Sequence, residues 1–121
     1  KDIGAGTVTP TFTVVGTLVT GTSVSPLLIA PFAFTILKAF IRVKTAPTGA
    51  DLIIDINKNG ATIWSTQANR LKIVDGNTSN STSTFDTTSL AEGDYLTLDI
   101  DQVGSTIAGA DVTVELYCTA A

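Results

Sequence analysis

The chain has 121 residues, 44% of them hydrophobic and only 15% charged, with a formal net charge of −4. That length fits one domain with one core, and the negative balance excludes a nucleic-acid binder or a polybasic membrane anchor, both of which need clustered Lys and Arg. The absence of histidine removes zinc chemistry and His-dependent triads, and the lone Cys118 excludes an internal disulfide framework and reads as a buried free thiol.

Thr, Val and Ile recur throughout, Gly and Pro punctuate short runs, and no long window sustains helical spacing. Residues 1–11, KDIGAGTVTPT, are expected to form a flexible N-terminal arm ahead of a single β-sandwich domain at 12–121. A first strand is predicted over 12–20, bent near Gly16, and a short apolar segment over 27–30 between Pro26 and Pro31. The longest apolar stretch, 24–43, is broken by Pro26, Pro31, Lys38 and Arg42, so it lacks the run of a membrane span. A long strand follows over 34–44, with Leu37, Ala39, Ile41 and Val43 facing the core. Lys38, Phe40, Arg42 and Lys44 then point outward, and Phe40 among cations is a position suited to meeting another subunit.

The stretch DINKNG, residues 55–60, presents oxygen-bearing side chains at alternate positions before a glycine, as calcium loops do. Thr66 stands where a bidentate glutamate should close the shell, and no helices are expected beside it. Asn59-Gly60 instead suits a two-residue hairpin turn, in which both positions need positive φ. The register then sets Lys58 against Ala61, Asn57 against Thr62 and Ile56 against Ile63. Extended by one residue, it sets Asp55 against Trp64 on the outward side, near Ile53. An outward tryptophan would anchor an interface, stack on a sugar, or be covered by a loop of its own chain.

The segment 89–104 alternates most clearly, with Leu96, Leu98 and Ile100 on one side and Tyr95, Thr97, Asp99 and Asp101 on the other. The strand over 111–119 turns Val112, Val114, Leu116 and Cys118 inward and Glu115 and Tyr117 outward, and the two strands are expected to pair. Asp99, Asp101 and Glu115 form a weak candidate cation group, read first as surface or interface charge. No phosphate cradle, nucleophile or other catalytic constellation emerges, and no cofactor is expected. About eight strands without a helix imply an all-β antiparallel sandwich of jelly-roll type, with an immunoglobulin-like sandwich as the alternative.

The stretches IRVKTAPTGADLIIDINKNGATIWSTQANRLKI and LAEGDYLTLDIDQVGSTIAGADVTVEL, spanning about residues 41–116, resemble a module of tailed-bacteriophage virion structural proteins, associated with head or tail. The positions that carry the resemblance are Ala46, Pro47, Thr48, Gly49, Asp51, Asp55, Asn57, Asn59 and Gly60, then Gly93, Asp94, Asp99, Gly104, Gly109 and Asp111. It implies scaffold turns and strand faces, not an active site. The expected function is a non-catalytic virion structural or decoration subunit, homo-oligomeric and packed against other virion proteins. Phe40, Ile53, Trp64, Tyr95 and Tyr117 are its interface candidates. The alternative is a carbohydrate-binding module of a phage receptor-binding apparatus, with a surface glycan stacked on Trp64, Tyr95 or Tyr117.

Overall fold

Alternating apolar and polar residues, rich in β-branched side chains, bury one face of each long strand and leave the other polar. The computed structural model describes residues 6–121. Its strands are β1 (Thr7–Val8), β2 (Thr11–Thr17), β3 (Leu28–Ile29), β4 (Phe34–Thr45), β5 (Leu52–Lys58) and β6 (Ala61–Thr62). After a 3-10 turn at Gln67–Asn69 come β7 (Lys72–Ile73), β8 (Ser79–Thr82), β9 (Ser89–Leu90), β10 (Tyr95–Val103) and β11 (Ala110–Ala120). Every pairing is antiparallel.

Six strands make one sheet: β1 and β2 lie along one side of β11, β4 along its other side, and β8 and β9 beyond β4. Five make the second sheet, in which β3 flanks β10, β10 pairs with β5, and β6 and β7 lie beyond β5. The apolar faces meet in one core. It includes Ile41, Val43, Val114 and Leu116 from the first sheet and Ile54, Ile56, Leu98 and Ile100 from the second. Each such fully buried side chain contributes roughly 1.5–3 kcal/mol. Cys118 lies in this core as a free thiol.

The Asn59-Gly60 turn has the expected form, with φ of +50° and +89° at its two positions. Lys58 pairs with Ala61 and Asn57 with Thr62, and the Ile63 amide donates to the Ile56 carbonyl at 2.9 Å.

Three expectations are corrected. β10 and β11 do not pair: β10 belongs to the five-stranded sheet and β11 to the six-stranded one, so the loop between them crosses the sandwich. That loop is tied to the Thr48 carbonyl, which accepts the amides of Ser105 at 3.0 Å and Thr106 at 2.9 Å. Leu37 is not a core residue but 43% exposed. The register slips by one between Tyr117–Lys38 and Cys118–Ile36, and this bulge turns Leu37 out while Ile36 and Ala39 both point in. The third correction, at Trp64, bears on the candidate surface below. At the N-terminus, Thr7 pairs with Thr119 and Val8 with Cys118; the part of the expected arm at residues 1–5 lies outside the described residues.

Candidate interaction surface

Trp64 is fully buried. The hairpin alternation stops at Ile63, whose carbonyl accepts the amides of Asp86 at 3.0 Å and Thr87 at 3.2 Å from a different part of the chain. The backbone therefore leaves the sheet, and Trp64 turns in. Its ring stacks on Phe85, centroids 5.6 Å apart and planes 20° off parallel, and its Nε1 donates to the Thr84 carbonyl at 2.8 Å. Trp64 is thus neither an interface anchor nor a sugar platform. The same cover buries Asp55, which accepts the Thr62 hydroxyl at 2.6 Å and the Gln67 side-chain carboxamide at 3.3 Å. Burial pushes the Asp55 carboxyl above the ordinary carboxylate value, against the pull of these hydrogen bonds.

Of the other interface candidates, Phe40 and Tyr117 share the outer face of the six-stranded sheet. Phe40 lies opposite Glu115, and Tyr117 opposite Lys38, whose ammonium sits 5.2 Å from the Phe40 ring centroid. Arg42 lies between Thr113 on β11 and Ser79 on β8, and Phe40 between Glu115 and Ser81. Together with Lys44 and Asp111 these residues line an open groove of about 740 Å³. Lys58, Arg70 and Lys72 each meet a carboxylate elsewhere. Among the described residues, the β4 cations Lys38, Arg42 and Lys44 form no ion pair. Tyr95 lies apart, in the other sheet opposite Ile29, and Ile53 is a half-buried residue of that same sheet, opposite Lys72.

The weak cation group is also divided. Asp99 and Asp101 lie on β10, and Glu115 on β11 of the opposite sheet. Asp99 accepts the Ser23 amide at 2.9 Å and the Asn57 carboxamide at 2.8 Å, and Asp101 pairs with Arg70 at 2.7 Å. Among the described residues, no group of three His, Cys, Asp or Glu is arranged to hold a metal ion. Asp94 binds the hairpin tip instead. It accepts the Ala91 amide at 2.8 Å and the Asn59 carboxamide at 2.9 Å, and these bonds hold its carboxyl below the ordinary value.

One surface was not singled out by strand alternation. Val15, Val19, Leu27, Ile29 and Phe32 are exposed large apolar residues on or beside β2 and β3, which are edge strands of the two sheets. The signal for it is in the composition: residues 3–37 contain no Asp, Glu, Lys or Arg.

No protein-family profile matches the sequence, and no curated protein matches it. Among solved structures, the chain resembles one in the cyanophage Pam1 capsid asymmetric unit, with a TM-score of 0.51 at 15% identity, over 100% of this chain and 91% of that one. It also resembles a family 35 carbohydrate binding module from Clostridium thermocellum, with a TM-score of 0.50 at 15% identity, over 97% of this chain and 100% of the module. At these identities the likeness is one of fold. What this chain shares with both is the antiparallel two-sheet β-sandwich.

Proposed function

We propose that this chain is a non-catalytic structural or decoration subunit of a virion, of the head or tail of a tailed bacteriophage, that packs against neighbouring protein subunits. The observation that carries the reading is the charge-free stretch 3–37, with its exposed apolar side chains on or beside the edge strands β2 and β3. Exposed apolar side chains with no charge among them suit a docking surface, and repeated packing of identical subunits would cover them.

The strand order supports a jelly roll, an architecture common among viral capsid domains. From β2 onward the chain passes back and forth between sheets, and its last two strands lie in opposite sheets. An immunoglobulin-like sandwich would pair them. The resemblance over residues 41–116 to virion modules and the fold likeness to the Pam1 capsid chain point the same way.

The reading is tested by mass spectrometry of purified particles from a culture that makes this chain. The chain is expected at a fixed ratio to the major structural proteins. Its loss during purification, while those proteins remain, would refute the proposal.

The glycan-binding alternative is weakened by the burial of Trp64 and the separation of Tyr95 from Tyr117. It keeps two supporting features, the fold likeness to the family 35 carbohydrate binding module and the Phe40–Arg42–Glu115 groove. Binding of an oligosaccharide that Phe40→Ala abolishes would favour it.

A further inference from the structure

Among the described residues, the edge strand β2 is open along its outer side. The Leu116 amide donates to the Pro10 carbonyl at 2.9 Å, and β11 pairs Val114 with Phe12 and Val112 with Val14. Backbone hydrogen-bonding direction alternates along an antiparallel strand. Pro10, Phe12 and Val14 therefore direct their backbone groups to β11, and Thr11, Thr13 and Val15 direct theirs away. No strand meets them among the described residues. Val15 is 83% exposed and Val19 70%, so no loop of the described chain lies over this stretch.

Natural sheets protect a long edge with charge, proline or a bulge. Here no charged residue falls within β2 or near it in sequence. The protections present lie at its ends: Pro10 before it, and the register shift opposite Ala110–Val112 at Val15–Gly16, where Asp111 accepts the Gly16 amide at 2.6 Å. Between them the edge is bare.

We propose that β2 is the seat of a two-fold contact with a second copy of this chain, the two strands running antiparallel with Thr13 on the axis. The inference rests on the reading of a subunit that packs against its neighbours, and it names the surface and the partner. With Thr13 opposite its own copy, Thr11 falls opposite Val15 of the partner subunit, so all three outward-facing residues are engaged at once. The six-stranded sheet then continues across the axis. Charge favours a second copy as the occupant. An isologous contact brings identical surfaces together, and a chain of net charge −4 repels itself over much of its surface. The stretch 3–37 is where it meets itself without like charges.

Sedimentation equilibrium over a concentration series, with amide hydrogen exchange, tests this. The wild-type chain is expected to dimerise, with the Thr13 amide protected in the dimer. Thr13→Pro removes the outward amide and leaves the β11 ladder intact. Losing one hydrogen bond per copy should raise the dimer dissociation constant about thirtyfold. Thr13→Lys sets like charges on the axis and should also separate the copies, while Phe40→Ala should not. Thermal melts of the variants report folding; if Thr13→Pro unfolds, Thr13→Lys and the wild-type exchange pattern still decide.

A wild-type monomer across the whole series overturns the proposal, as does a dimer indifferent to Thr13→Lys or one in which the Thr13 amide exchanges freely. A chain that pairs through β2 but is absent from purified particles would sink the virion reading alone. A particle-bound chain whose contacts depend on Phe40 and not on Thr13 would sink the edge contact alone.

Discussion

Trp64→Ala distinguishes a tryptophan that holds the fold from one that holds a partner. The side chain is fully buried, stacked on Phe85 and hydrogen-bonded through Nε1 to Thr84. Truncating a buried tryptophan costs about 3–5 kcal/mol, a large share of the roughly 5–15 kcal/mol that holds a domain folded. At about 4 °C per kcal/mol for a chain of this size, the melting temperature should fall by about 12–20 °C. Trp64→Phe keeps much of the stacking but leaves the Thr84 carbonyl without its donor, at a cost of about 1–3 kcal/mol. Urea unfolding gives the free energies. Because Trp64 is the only tryptophan, its native emission should be blue-shifted, shielded from acrylamide, and should move red on unfolding. Native emission like that of free tryptophan, or a loss below about 1 kcal/mol in the alanine variant, would refute the packing argument.

Four further outcomes are expected. Gly104→Ala should destabilise by about 2 kcal/mol or more: φ is +109° and an added Cβ would lie 3.2 Å from Pro47 Cβ and press on the Ile107 carbonyl. Gly60→Ala, also at positive φ but in open space, should cost only about 1 kcal/mol in the same urea titration. Asp55 has a raised carboxyl pKa when folded, so folding favours its protonated form. Its contribution is full below the ordinary value of 3.8 and lost as pH rises through the folded value. Wild type should therefore gain stability relative to Asp55→Asn as pH falls through that window; parallel melts from pH 7 to pH 3 would show it. The Cys118 thiol, pushed up to about 12 by burial, should resist thiol reagents in the native chain and react at once in urea.

Local chemistry was legible in the sequence and long-range partnership was not. Asn59-Gly60 fixed its hairpin because both φ requirements and the register lie within a few residues. The inward sets of β10 and β11 followed from alternation alone. Alternation, however, says which side of a strand is buried, not which sheet the strand joins. The 104–109 connection could serve a hairpin or a crossover, and its bonds to the distant Thr48 carbonyl are not legible in its own residues. The bulge at Leu37 is invisible for the same reason, since only the partner strand β11 shows the missing residue. Trp64 was assigned outward by extending the hairpin one residue past its end, where bonds from Asp86 and Thr87 pull the chain away.

The acidic balance has a structural explanation. Asp51 accepts the Asp75 amide, Asp75 the Gly49 amide and Asp86 the Thr66 amide. Asp94, Asp99 and Asp111 accept those of Ala91, Ser23 and Gly16. Each ties a loop to another part of the backbone or closes a turn, a task for an acceptor-only side chain that Lys and Arg cannot perform. Most of the scarce negative charge is thereby committed to holding loops, and Lys58, Arg70 and Lys72 sit beside those carboxylates or their neighbours. These carboxylates still carry their charge at the surface, together with Glu92, Glu115 and the cationic row on β4. With its charge placed on the loops and on the outer face of β4, the sandwich leaves an uncharged edge at β2 and β3, and such an edge is suited to contact with another protein rather than to chemistry.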